Sequence, residues 1–141
     1  MNIPLLTLLL FAVWTLLVLL ATVGVYRWNH ILRGKIGIEK FRAGDDMGNE
    51  FYRRGMRAHA NCVENLPVYG AIVLTAAMSG ITGDWMSYLG VIFLTARICQ
   101  TLTHVSFRET ALTVSIRFSF FLIQIISMFT MAVIIFREVR F

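Results

Sequence analysis

Residues 1–26, 65–83 and 118–136 of this 141-residue chain carry no charged side chain. A helix needs about 20 mostly apolar residues to cross the hydrocarbon core of a bilayer, so each run has nearly the length of a membrane span. Composition agrees: 57% of residues are hydrophobic and 15% charged, against roughly 45–50% and about 25% in soluble domains. Mean hydropathy is +0.71. These values exclude a soluble globular core and a disordered tail. With only Cys62 and Cys99, neither a disulfide framework nor a metal-ligand spacing is readable.

The net charge of +5, from 13 Lys and Arg against 8 Asp and Glu, is explained by position. Arg27, Arg33, Lys35, Lys40, Arg42, Arg53, Arg54 and Arg57 crowd in and around one connection. Such clustering is the positive-inside signal that orients membrane proteins. No stacking platform or groove-reading helix accompanies it, so a nucleic-acid partner is not expected.

The pattern predicts four helices, over about residues 3–26, 49–80, 85–105 and 110–136. Pro4 falls in the first turn, where its missing N–H is harmless. The first run lacks a basic leader and a cleavage site, so it reads as a helix of the mature protein. Pro67 is expected to kink the second helix, since it cannot bond the carbonyl of Val63. Residues 27–52, with Gly34, Gly37, Gly44 and Gly48, read as a loop. Trp85 and Tyr88 are expected as interfacial anchors. The fold class is therefore all-α, an integral-membrane, up-down-up-down four-helix bundle in a single domain. The first and third connections hold the basic residues, including Arg108, while Arg137 and Arg140 lie opposite. That places both connections in the cytoplasm and both termini on the other side, with a bacterial inner membrane the expected location of so compact a chain.

Ionisable residues inside such helices cost about 2.5–3.5 kcal/mol each on insertion scales and mark a functional interior. At about 100° per residue, Arg57, Asn61 and Glu64 fall near 0°, 40° and −20°, on one stripe. Arg97, Thr101 and His104 repeat those offsets, and Arg117 and Gln124 lie about 20° apart. At 1.5 Å per residue, Glu64 and Arg97 lie about 10 Å, and Arg117 about 13 Å, beyond the basic face, in a similar layer. A carboxylate facing two guanidiniums is one expectation; polar glue between helices is the other. Gln124 reads as a helix–helix hydrogen bond, and His59, off the stripe, as a packing or interface residue. Arg108 precedes Arg117 by nine residues, about 180° round a continuous helix, so both serve one cleft only if the helix begins after Arg108.

Arg54, Arg57, Asn61, Glu64, His104 and Arg108 together suit a small zwitterion with carboxylates and an amine. Arginines hold carboxylates bidentately, and Glu64 accepts from an ammonium. A peptide thiol meeting a lipid-soluble electrophile fits such a site.

The run from Arg54 through Arg57-Ala-His-Ala-Asn61 to Glu64-Asn65-Leu-Pro67 closely resembles the second-helix signature of the MAPEG family, membrane-associated proteins of eicosanoid and glutathione metabolism. Ala96-Arg97 with Gln100 and His104 resembles the third-helix signature, and the Arg108 joint the arginine opening the fourth helix. The resemblance implies a homotrimer with glutathione as cosubstrate, bound between subunits near the cytoplasmic face, and no metal. It implies Arg54, Arg57, Asn61, Glu64 and Asn65 as glutathione ligands, and Arg33 or Lys35 as a contact from the first helix. Arg97 and Arg117 look like the structural and cleft arginines, and Gln100 and His104 like further contacts. Arg108 is similar to the catalytic arginine that stabilises the glutathione thiolate. A free thiol has a pKa of about 8.5 that a cation lowers, each unit being worth about 1.36 kcal/mol.

Active members commonly carry tyrosines where this chain has Gln100 and His104, and some where it has Asn65. The expected activity is a glutathione S-transferase acting on lipophilic electrophiles, or a peroxidase reducing lipid hydroperoxides. The alternatives are a non-catalytic lipid-binding or scaffold protein of the same fold, and a small proton-coupled multidrug transporter using Glu64. Two deep arginines beside Glu64 would hold it ionised and oppose the transporter.

Overall fold

The computed structural model describes residues 2–35, 37, 40 and 48–139, and among these every regular element is helical. Helix α1 spans Ile3–Leu32, α2 Glu50–Met78, α3 Asp84–Ser106 and α4 Ala111–Glu138. The last three match the sequence expectation to within two residues. Gly44, Arg42 and Arg140 lie outside the described residues.

Helix α1 is longer than expected. Its end was placed at Tyr26, where charges begin, but the helix runs on through Arg27 and His30. Charge marks where hydrocarbon ends, not where a helix must. The chain stops instead at Gly34, whose φ of 64° suits a residue without Cβ. Gly34 N–H donates to Ile31 O at 3.0 Å and Lys35 N–H to His30 O at 3.1 Å, a Schellman closure of the free carbonyls. The same device ends α2 at Gly80 (φ 71°), with Ile81 N–H on Ala76 O at 2.9 Å.

Helix starts are capped by side chains. Asn2 accepts from Leu5 N–H at 3.0 Å and Asn49 from Tyr52 N–H at 2.9 Å. Thr110 and Thr113 cap one another's backbone N–H groups at the head of α4, satisfying donors that a helix start leaves open. Helix α2 runs through Pro67 as one element, although Pro67 supplies no N–H to the carbonyl of Val63.

The contacts show that consecutive helices run antiparallel. Thr7 near the start of α1 bonds Tyr69 late in α2, Oγ1 to OH at 2.7 Å, while Thr22 near the other end meets Gly55. Arg54 early in α2 reaches the carbonyl of Val105 at the end of α3. Helix α3 packs most extensively on α4 and also on α1 and α2. The aromatic centre is Phe11, Tyr69 and Phe93: Tyr69 and Phe93 stack at 3.9 Å, and Phe11 meets them edge-on at 6.2 and 5.4 Å.

Within the apolar α1 run, the buried stripe is partly polar: Pro4, Thr7, Phe11, Thr15, Val18 and Thr22. Each threonine hydroxyl is satisfied by a carbonyl of the preceding turn, at 2.8, 2.9 and 2.6 Å for Thr7, Thr15 and Thr22. A π-helical turn over Leu19–Gly24 adds a residue to the helix there, and Thr22 and Val23 are both buried. Large side chains such as Leu9, Leu16 and Leu20 point outward. Helices α1 and α4 are each long and apolar enough to cross a membrane.

The α1–α2 seam depends on Gly55. A Cβ there would meet Thr22 Cβ at 2.5 Å, so Gly55→Ala is expected to lower stability by roughly 1–3 kcal/mol through overpacking. Unfolding in detergent checks this. Gly83→Ala, with nothing within 4 Å of the added carbon, should leave the transition nearly unmoved.

Candidate functional site

At the end of the bundle where α2 begins and α3 gives way to α4, a cleft of about 380 Å³ is lined by Glu50, Arg53, Arg54, Arg57, Arg108 and Glu109. Four arginines and two glutamates share the space, so its walls carry a net +2. The first turns of α2 supply Arg53, Arg54 and Arg57, at the 3.6-residue spacing that brings i and i+3 to one side. Glu50 opens the same helix, and the non-helical residues 107–110 supply Arg108 and Glu109.

Each arginine is held differently. Arg54 is largely buried; its Nε donates to Val105 O at 3.1 Å, and its Nη1 lies 3.5 Å from Glu50 Oε2. The first bond closes a carbonyl of the last turn of α3, at the negative end of that helix. Arg57 Nη1 donates to Glu109 Oε1 at 2.8 Å. Arg117, a quarter of the way along α4, reaches the same oxygen at 3.7 Å. The Arg108 side chain is 88% exposed, and its ion pair among the described residues is with the edge of Glu50, at 4.0 Å. Because α4 starts at Ala111, Arg108 is off the helix. The geometric bar to Arg108 and Arg117 serving one cleft is thereby lifted.

The two polar stripes are real but look in different directions. Arg57 and Glu64 are exposed and Asn61 is half-buried, whereas Arg97, Thr101 and His104 are 1%, 4% and 7% exposed. The expected meeting of Glu64 with two guanidiniums does not occur within the protomer. Among the described residues Glu64 makes no ion pair, and Arg117 pairs with Glu109 instead. The reason is rotational: the α2 stripe turns away from α3 while the α3 stripe turns into the core.

Arg97 lies in the core with its guanidinium carbon 5.7 Å from the centre of the Phe11 ring, a cation–π contact in a dry setting. Its Nε and Nη2 have no hydrogen-bond partner among the described residues, and neither does His104 Nε2. Cys62 is buried beside it, its Sγ 3.7 Å from Thr101 Oγ1.

Gln100, expected as a ligand, is bound into the helix interface. Its Nε2 donates to Arg117 O at 3.2 Å, and its Oε1 accepts from Gln124 Nε2 at 3.0 Å. Gln124 is fully buried and forms the helix–helix bond that its place in an apolar run suggested. Asn65 Nδ2 is likewise spent on Asn61 O at 3.0 Å. Arg33 and Lys35 are exposed at the end of α1 and do not line the cleft.

Sequence reasoning missed Glu109, which carries the shortest ion pair of the cleft. Its signal was faint, a single acid in a basic joint. It also missed a second cluster nearby: Tyr26 lies between His30 and Tyr52, at 4.1 and 4.4 Å between ring centres, and Arg27 Nε donates to Tyr52 OH at 3.0 Å. These contacts tie the extended end of α1 to the start of α2, and so brace the arginines behind it.

The chain belongs to the MAPEG family, whose model matches residues 4–137. It is thus a helical membrane protein of the group concerned with glutathione and eicosanoid metabolism. No curated protein and no solved structure matches it.

If Gln100 and Gln124 serve the interface, a double-mutant cycle with alanine at both positions should show coupling of about 0.6 kcal/mol, and at most about 1.7, the range of intramembrane hydrogen bonds. Unfolding of the four proteins in detergent measures it. Additive effects would return Gln100 to the ligand set.

Proposed function

We propose that this protein is a glutathione-dependent membrane transferase, with reduction of lipid hydroperoxides as a second activity. The observation that carries this reading is the arginine-walled cleft at the membrane end of the bundle, built on the second-helix signature of the family. Glutathione offers two carboxylates and one ammonium. Arg54 and Arg57 suit the carboxylates, since a guanidinium fork matches their geometry. Arg108, exposed and only loosely held, suits the sulfur: a cation beside a thiol favours the thiolate, which is the nucleophile. The thiolate attacks an electrophilic carbon to form a thioether, and the displaced group leaves with the electron pair. With a hydroperoxide, the thiolate takes the distal oxygen as a sulfenate and an alcohol departs after protonation; a second glutathione thiol then forms the disulfide and releases water.

Assembly belongs to the same reading. Along α2, Arg57, Ala60, Glu64, Pro67, Ala71, Thr75 and Met78 are all exposed and recur every third or fourth residue, which makes one face of a helix. Glu64 on a lipid-facing stripe would be costly, while Ala60 and Ala71 permit close backbone approach. A homotrimer in which a neighbouring copy covers this face would turn Asn61 and Glu64 into walls of a shared cleft. The basic end then lies in the cytoplasm by the positive-inside rule, in a bacterial inner membrane, and lipophilic substrates arrive sideways along the apolar exterior.

One observation favours a non-catalytic, lipid-binding role instead. Gln100 and His104 are turned into the bundle, so the third helix gives the cleft neither a hydroxyl nor an imidazole.

Calorimetry on the detergent-purified protein decides between them. Glutathione should bind, and Arg57→Ala and Glu64→Gln should each weaken it at least tenfold, about 1.4 kcal/mol. Arg108→Ala should leave binding in place and reduce turnover about tenfold for each unit by which the thiol pKa rises. A folded protein that ignores glutathione would end the enzyme reading.

A further inference from the structure

The cleft already contains carboxylates of its own. Glu109 joins Arg57 of α2 to Arg117 of α4, at 2.8 and 3.7 Å, in the way a ligand carboxylate would. Glu50 occupies Arg54 and Arg108 more loosely, at 3.5 and 4.0 Å. We propose that Glu109 is a specificity-determining residue: it holds the Arg57–Arg117 pair until a ligand carboxylate replaces it, so the cleft selects dicarboxylates over monocarboxylates.

The exchange is nearly balanced at the first position. A ligand carboxylate that displaces Glu109 gains the charge-assisted bonds that Glu109 gives up, so a single carboxylate brings little net affinity. A second one, set between Arg54 and Arg108, meets a resident whose contacts are longer than the roughly 2.7–2.9 Å of a good N⁺–H···O⁻ bond. That position supplies the net gain. The wall charge of +2, from four arginines and two glutamates, also calls for a dianion.

The backbone around Glu109 is built for such an exchange. Thr113 Oγ1 donates to Arg108 O at 2.9 Å, and Thr110 is fixed by its reciprocal cap with Thr113. Both neighbours are thus pinned while the Glu109 side chain, about half exposed, is free to swing without unwinding a helix.

The inference rests on the glutathione reading only for the ligand's identity, and the test separates the two. Full-length protein in detergent, wild type and Glu109→Gln, is titrated with glutathione, glutarate and butyrate. Phenylglyoxal labelling of Arg57 is followed by peptide mass. The variant should bind glutathione and glutarate about two- to fivefold tighter, the weight of one partly exposed ion pair. Its preference for glutarate over butyrate should shrink, and Arg57 should label faster. Tighter glutarate binding without any glutathione binding would remove glutathione as the ligand and keep Glu109 in its role. Dicarboxylate binding that is unchanged, weaker or absent in the variant would overturn the proposal, as would unchanged labelling of Arg57.

Discussion

Two of the four helices are too polar to face hydrocarbon on every side, and the arrangement of the bundle follows from that. Helices α1 and α4 have the length and apolarity to cross a membrane, while α2 carries Arg57, Asn61 and Glu64, and α3 Arg97 and Gln100, along their length. In lipid an unsatisfied polar group costs several kcal/mol, so the polar face of α3 must turn inward. It does so: Arg97, Gln100, Thr101 and His104 are all buried. Helix α1 answers with threonines on its inner stripe, and α4 with Gln124. The bond from Gln124 to Gln100, and from Gln100 to the Arg117 carbonyl, holds α3 to α4 at the depth where Arg117 leaves the backbone. The arginine that shares Glu109 with Arg57 is therefore positioned by an amide pair in the helix interface.

Arg97 and Arg57 show how burial divides one residue type into two roles. Arg97 has a buried guanidinium resting on Phe11, its Nε and Nη2 without a hydrogen-bond partner among the described residues. It is fixed by packing and has nowhere to go. Arg57 stands at the mouth of the bundle with its charge met by Glu109. With both side chains about half exposed, water and salt screen this ion pair. Arg57 and Arg108 are of this second, exposed kind, while Arg54 between them is largely buried.

Much of this was legible in the sequence. The ends of α2, α3 and α4 follow from capping residues, glycines and charge, and the match to within two residues reflects strong local signals. The end of α1 was misjudged because the first charge was read as the end of the helix, when the Gly34 turn was the actual stop. The stripes of α2 and α3 were correct as stripes, since helical spacing fixes what shares a face. Spacing does not fix which way a face turns relative to a neighbour, and so Glu64 and Gln100 were placed in a common pocket that the packing divides. The threonine stripe of α1 was there to be read at positions 7, 15 and 22. It was overlooked because the surrounding leucines are apolar on every face and conceal which side is buried.

The outward turn of α2 has a further consequence. Its exposed face begins at the cleft with Arg57 and passes through Ala60 and Glu64, beside half-buried Asn61, to the small and apolar residues beyond. A helix that faced lipid along this line would carry an acid where leucine would serve better, and alanines where bulk would fill space. The same residues suit a face that is closed by another protein surface, because small side chains allow approach and an acid gains a partner there. The cleft and the uncovered stripe share Arg57, so whatever covers the stripe also completes the cleft. A surface that closed over the stripe would meet Glu64, which makes no ion pair among the described residues, together with Arg57 of the cleft.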